Sequence, residues 1–148
     1  LWDSKRLAPD EVLEAVAAKG GVIGIECAPH TTLTKRNRVH NLDGFMEHFE
    51  YVKALVGIEH VGFGPDTVYG DHVGLHHTYA AALSIKESKG AGKPGQEYQE
   101  VAYVEGLENP TEGSFNIVRW LVKNRYSDEE IEKVMGGNAL RVMADAWA

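Results

Sequence analysis

The sequence predicts an alternating α/β fold organised on a parallel sheet. Its first 66 residues run helix, glycine, strand twice, with strands at Val22–Ile25 and His60–Gly64. Both strands are short apolar runs with small residues, the pattern of buried parallel strands covered on both faces. Each run leads into a proline, Pro29 and Pro65, which cannot donate to a ladder and restricts the residue before it. Strands alternating with helices imply right-handed crossovers and parallel pairing.

Leu1–Leu7 shows no periodicity and reads as a loop. Pro9-Asp10-Glu11 opens a helix, because proline suits the first turn and two acids complement the helix dipole. Val12, Leu13, Val16 and Ala17 form its apolar stripe, and Gly20-Gly21 stops it. After the first strand, residues 30–40 are polar and basic without periodicity, and read as a loop. Leu42, Phe45, Met46, Phe49, Val52 and Leu55 recur at helical spacing, placing the clearest helix at 42–56, ended by Gly57. Residues 66–113 read as one long excursion: 76–88 is compatible with a short helix and 89–95 is a Gly/Lys/Pro connector. Long loops in compact domains are often lids over active sites. Phe115, Val118, Leu121 and Val122 place a helix at 114–124. Ser127-Asp128-Glu129-Glu130 is a capping box opening the next, with Ile131 and Val134 on its inner face. Gly136-Gly137-Asn138 breaks it, and Asn138 is placed to cap a last helix to the C-terminus.

Composition narrows the function classes. The 148 residues suffice for one ordinary domain, and 15 basic against 22 acidic residues give a net charge of −7. That balance, without a Lys/Arg cluster, argues against nucleic acid as a partner. One cysteine, Cys27, leaves no internal disulfide and no cysteine-based zinc site. No apolar run is long enough for a membrane-spanning helix, and no signal peptide is visible. A cytoplasmic location is the simplest expectation. The chain begins with Leu1 rather than Met, so a natural N-terminus further upstream is also expected.

Only two strands against four or five helices leave a parallel pair short of neighbours. The simplest architecture is the C-terminal portion of a (β/α)8 barrel, a fold that typically takes about 250 residues. In such folds ligands and chemistry sit at the carboxyl ends of the strands. The first carboxylate past the second strand is Asp66, directly after Pro65. On pattern alone a turn-capping role and a catalytic one weigh about equally for it.

Four segments tip that balance by resemblance: Gly20-Gly21-Val22-Ile23-Gly24-Ile25, Gly57-Ile58-Glu59-His60-Val61-Gly62-Phe63-Gly64-Pro65-Asp66, Glu105-Gly106-Leu107-Glu108-Asn109, and Tyr126-Ser127-Asp128-Glu129-Glu130-Ile131 with Gly136-Gly137-Asn138-Ala139-Leu140-Arg141-Val142. In order and spacing they resemble the C-terminal half of the membrane (renal-type) dipeptidases, peptidase family M19. The resemblance implies an amidohydrolase-type barrel with a binuclear zinc centre that hydrolyses dipeptides, forming a single barrel domain with a lid at 67–113. It implies that Asp66 is both substrate-binding and catalytic, handling the protons of the metal-bridging water. It also implies that Arg6 anchors the substrate's terminal carboxylate through its guanidinium fork. The family's metal ligands, a His-x-Asp, a bridging Glu and two His, have no counterpart here, so no metal ligand is assigned and the isolated chain is expected to be inactive. The family's Asp-Phe-Asp-Gly is Asp66-Thr67-Val68-Tyr69-Gly70 in this chain, and the insertion 71–104 is long, which leaves the substrate open.

Other residues have simpler readings. His72 and His76, beside His77, have a spacing able to hold a metal on a helix, but no second helix offers a matching ligand. Contact with substrate or solvent is the simpler expectation. Cys27 reads as a small buried filler rather than a nucleophile. His30 and His40, flanking Lys35-Arg36-Asn37-Arg38, read as solvated surface. Gly62 and Gly64 read as close packing. The alternatives kept are another amidohydrolase-type activity, on a lactone or cyclic amide, and a truncated non-catalytic α/β module that binds through its sheet edge. Homodimerisation is left open.

Overall fold

The computed structural model describes residues 1, 7–28, 31–70, 74–75, 78, 101 and 103–148. The Arg6 expectation, the histidines at 30, 72, 76 and 77, and the connector at 89–95 all lie outside the described residues. So does most of the helix expected at 76–88.

The first helix, α1, spans Asp10–Ala18 with Pro9 extended before it and Asp10 and Glu11 in its first turn. Leu13 is its buried residue, whereas Val12, assigned to the same stripe, is 47% exposed. Gly20 takes φ +76°, a conformation glycine reaches without steric cost, and turns the chain into β1, Ile23–Ile25. Helix α2, Leu42–Val56, starts on Asn41, whose side chain accepts from Gly44 N at 2.9 Å. A single 3-10 turn, Ile58–His60, leads into β2, Val61–Phe63. The strands are parallel neighbours in the register Ile23–Val61, Gly24–Gly62, Ile25–Phe63.

Side chains alternate across a strand, so Phe63 and Gly62 serve opposite faces of the sheet. Phe63 stacks on Phe49 and Phe45 of α2, with centroids 4.9 and 5.7 Å apart. Phe45, Met46 and Phe49 are fully buried behind it. At Gly62 a Cβ would come within 3.2 Å of the Val134 carbonyl, so the missing side chain admits that backbone. Gly64 differs from the expected close packing, since a Cβ there would meet nothing within 4 Å among the described residues.

The C-terminal helices close the unit. Helix α3 spans Pro110–Lys123, several residues ahead of the expected start at 114. Asn109 caps it, accepting from Glu112 N, and Pro110 occupies its first turn. That start turns Gly113, Ile117 and Leu121 inward and leaves Phe115 and Val122 56% and 58% exposed. The capping box opens α4, Asp128–Glu132, as expected. A wide π turn, Lys133–Gly137, kinks at Gly136 and passes into α5, Asn138–Trp147. Asn138 is not a cap. It is buried, has helical backbone angles, and its amide donates to the carbonyls of Ile58 and Val61. Arg141 on the same helix donates to the carbonyls of Gly20 and Glu59.

Two loops are more ordered than their composition suggests. Thr31, Thr32, Leu33 and Thr34 are buried, as is His40, whose ring nitrogen lies 2.9 Å from the Thr32 hydroxyl. The expectation of a solvated surface holds for Lys35 and Arg36 and fails for His40. The far end of the excursion is core, with Val104 2% and Leu107 1% exposed. Glu105 pairs with Asn41 in a parallel bridge: Leu42 N donates to the Glu105 carbonyl, and Glu105 N donates to the His40 carbonyl.

Candidate active site

Beyond β2, Gly64 N donates to the Ile25 carbonyl and Cys27 N to the Pro65 carbonyl, so the two strand ends stay joined past the regular ladder. This brings Glu26, Cys27, Pro65 and Asp66 to one end of the sheet, the carboxyl end of both strands. Asp66 is exposed and stands at φ +54°, a left-handed conformation that Asp and Asn tolerate better than most residues. Non-glycine residues in that region tend to cluster at functional sites. A narrow recess of about 10 Å³ is bordered by Asp66, Cys27, Val68, Tyr103, Leu107 and Glu108.

Cys27 is buried, and its thiol donates to the Pro65 carbonyl at 2.8 Å. Burial, then the neighbouring Glu26 and Asp66 carboxylates, push its pKa up to about 12. The thiol is thus a protonated donor at neutral pH, in accord with a structural filler and not a nucleophile.

Glu26 was not singled out from the sequence, although the rule that drew attention to Asp66 applies equally to the residue that follows β1. Its two oxygens serve its own turn: one accepts from Ala28 N at 3.0 Å and the other lies 3.0 Å from the Thr31 hydroxyl. A larger cavity of about 420 Å³ opens on the β1 side, between Leu13, Ile25, Glu26, Thr31, His48 and Val52. His48 bonds the Leu33 carbonyl at 3.2 Å, and burial lowers its pKa. That cavity reaches the strand ends through Glu26, whereas Asp66 borders the narrow recess.

Among the described residues no three His, Cys, Asp or Glu side chains group to hold a metal ion. Asp66 and Glu26 alone do not fit a binuclear zinc centre, which needs several nitrogen and oxygen ligands.

Fold and site together define an α/β unit with carboxylates at the carboxyl ends of two parallel strands. The model of the membrane dipeptidase family, peptidase family M19, matches residues 1–87. The chain belongs to that family. Dipeptidase 3 of Macaca fascicularis is 22% identical over 144 residues, covering 97% of this chain and 23% of the relative. Dipeptidase tcpJ of Claviceps purpurea is 25% identical over 140 residues, covering 95% and 25% respectively. The chain thus spans about a quarter of the length of these relatives. The crystal structure of an amidohydrolase from Pseudomonas aeruginosa superposes with a TM-score of 0.73 at 26% identity, over 98% of this chain and 42% of the other. The architecture is accordingly that of part of a (β/α)8 barrel of the amidohydrolase type, as the sequence predicts.

Proposed function

We propose that residues 1–148 form the C-terminal part of a single-barrel, zinc-dependent dipeptidase, with Asp66 as its proton-handling carboxylate and Arg6 as the anchor of the substrate's terminal carboxylate. Family membership supports the reaction class, since the curated relatives are dipeptidases. The observation that carries the residue assignment is the position of Asp66, directly past β2, at the end of the sheet where parallel-barrel enzymes place their chemistry.

On this reading zinc, when bound, would supply an activated water. Asp66 Oδ accepts a proton at the site and returns it to the leaving amine. The backbone, pinned between Cys27 and Pro65, keeps that carboxylate at the strand end. Arg6 selects free carboxylate termini, which restricts the substrate to short peptides.

The test is Asp66→Asn in the full-length protein. Asn tolerates the same left-handed backbone, so the variant removes the proton-accepting group without adding strain. Dipeptide hydrolysis should fall by at least about a hundredfold in kcat, the usual scale for a lost general base. Undiminished turnover sinks the assignment. The P. aeruginosa relative is named more broadly as an amidohydrolase, so lactones and cyclic amides belong in the same substrate panel.

A further inference from the structure

We infer that Cys27 is a positioning residue for Asp66, acting through the peptide that joins Pro65 to Asp66. This rests on the catalytic reading of Asp66. The Pro65 carbonyl receives two donors from one residue, the Cys27 backbone N–H at 3.1 Å and the Cys27 thiol at 2.8 Å. A carbonyl oxygen has two lone pairs, and both are engaged. The carbonyl belongs to the same planar unit as the Asp66 N–H, so holding the oxygen fixes the plane from which Asp66 departs. Proline already fixes its own φ, one bond further back along the chain.

Asp66 needs such support. Its φ of +54° is a sparsely populated conformation that persists only where the surroundings over-determine it. Asp66 is exposed, so the restraint comes from the chain behind it. Cys27 is itself held: it is 3% exposed, and the Glu26 carboxylate organises the turn that follows through Ala28 N and Thr31. Glu26, Cys27, Pro65 and Asp66 thus form one relay across the ends of β1 and β2. The thiol works as a hydrogen-bond donor of fixed length, which suits a sulfur kept protonated.

The experiment uses the full-length protein and dipeptide hydrolysis. Cys27→Ala removes the second donor and should lower kcat about tenfold with KM nearly unchanged, because a small misplacement of a catalytic group slows the chemical step. Cys27→Ser keeps a donor and should recover most of that loss, while both variants show similar melting temperatures. Loss of activity that simply follows melting temperature, with no rescue by serine, overturns the positioning role. Cys27→Ala with wild-type kcat also overturns it, provided Asp66→Asn is inactive. An active Asp66→Asn removes the catalytic reading and this inference together. Should neither cysteine variant fold, alkylation of the native enzyme decides: a protonated, carbonyl-bound thiol resists iodoacetamide, and reaction at the rate of a free cysteine overturns the inference.

Discussion

Asn138, on the last helix, donates its side-chain amide to the Val61 carbonyl at 2.8 Å and to the Ile58 carbonyl at 2.7 Å. One buried side chain thereby bonds two backbone carbonyls at the entrance to β2.

Asn138→Leu is therefore expected to destabilise the protein by about 2–3 kcal/mol, since it strands buried carbonyls and forfeits two hydrogen bonds. Urea unfolding with an unchanged slope and a lowered midpoint is the readout. A change under about 0.5 kcal/mol, the scale of an ordinary surface substitution, contradicts it.

Gly62 and Gly64 sit two residues apart in one short motif and should respond oppositely to alanine. At Gly62 the new methyl would press on the Val134 backbone carbonyl at 3.2 Å, which predicts a loss of about 1–3 kcal/mol. At Gly64 it meets none of the described residues within 4 Å, and stability should stay within about 0.5 kcal/mol. Melting curves of the two variants side by side test the contrast.

His48 makes stability pH-dependent in a defined direction. Burial lowers its folded pKa below the unfolded value. Its contribution is therefore fully present above the unfolded pKa of about 6.5 and is lost as pH falls through the folded value. His48→Gln, which keeps an N–H for the Leu33 carbonyl, should flatten the acid limb of the stability profile below about pH 6.5. An unchanged acid limb would exclude His48 as its source.

Asn109 offers a further test. It caps α3 through Glu112 N at 3.0 Å, and Asn109→Ala should cost about 1 kcal/mol. Asn109→Asp should be nearly neutral, because a carboxylate accepts the same bond and suits the helix dipole. Chemical denaturation of both variants distinguishes capping from a general requirement for asparagine.

The parallel pair, α2 and the capping box were legible because each rests on local chemistry: apolar period, a terminal glycine, a serine three residues before a glutamate. The place of Asp66 was legible for the same reason, as the first carboxylate after a proline-ended strand. Asn138 was misread because its preference for caps is local, whereas its partners, Ile58 and Val61, lie far back in the chain. The solvated-surface expectation fails at His40 because polar composition suggests exposure, whereas its burial goes with a hydrogen bond between its ring and Thr32. The start of α3 was missed because the apolar residues Phe115 and Val122 were counted inward when the helix points them outward. Glu26 is less legible because no proline follows directly on β1 to mark its strand end, and its carboxylate is taken up by its own turn.

Arg141 and Asn138 also set an order of events during synthesis. Val61 leaves the ribosome 77 residues ahead of Asn138, and Gly20 leaves it 121 residues ahead of Arg141. The strand pair and α2 can associate early, since domains fold as their parts emerge. Until α5 arrives, the carbonyls at Gly20, Ile58, Glu59 and Val61 lack the side chains that satisfy them in the finished fold. The nascent chain thus carries an open seam at the amino end of β2 until α5 follows it and seals that seam. A ribosome stalled before α5 would leave a product with its strands in place and that seam exposed, a species for chaperones and proteases to recognise.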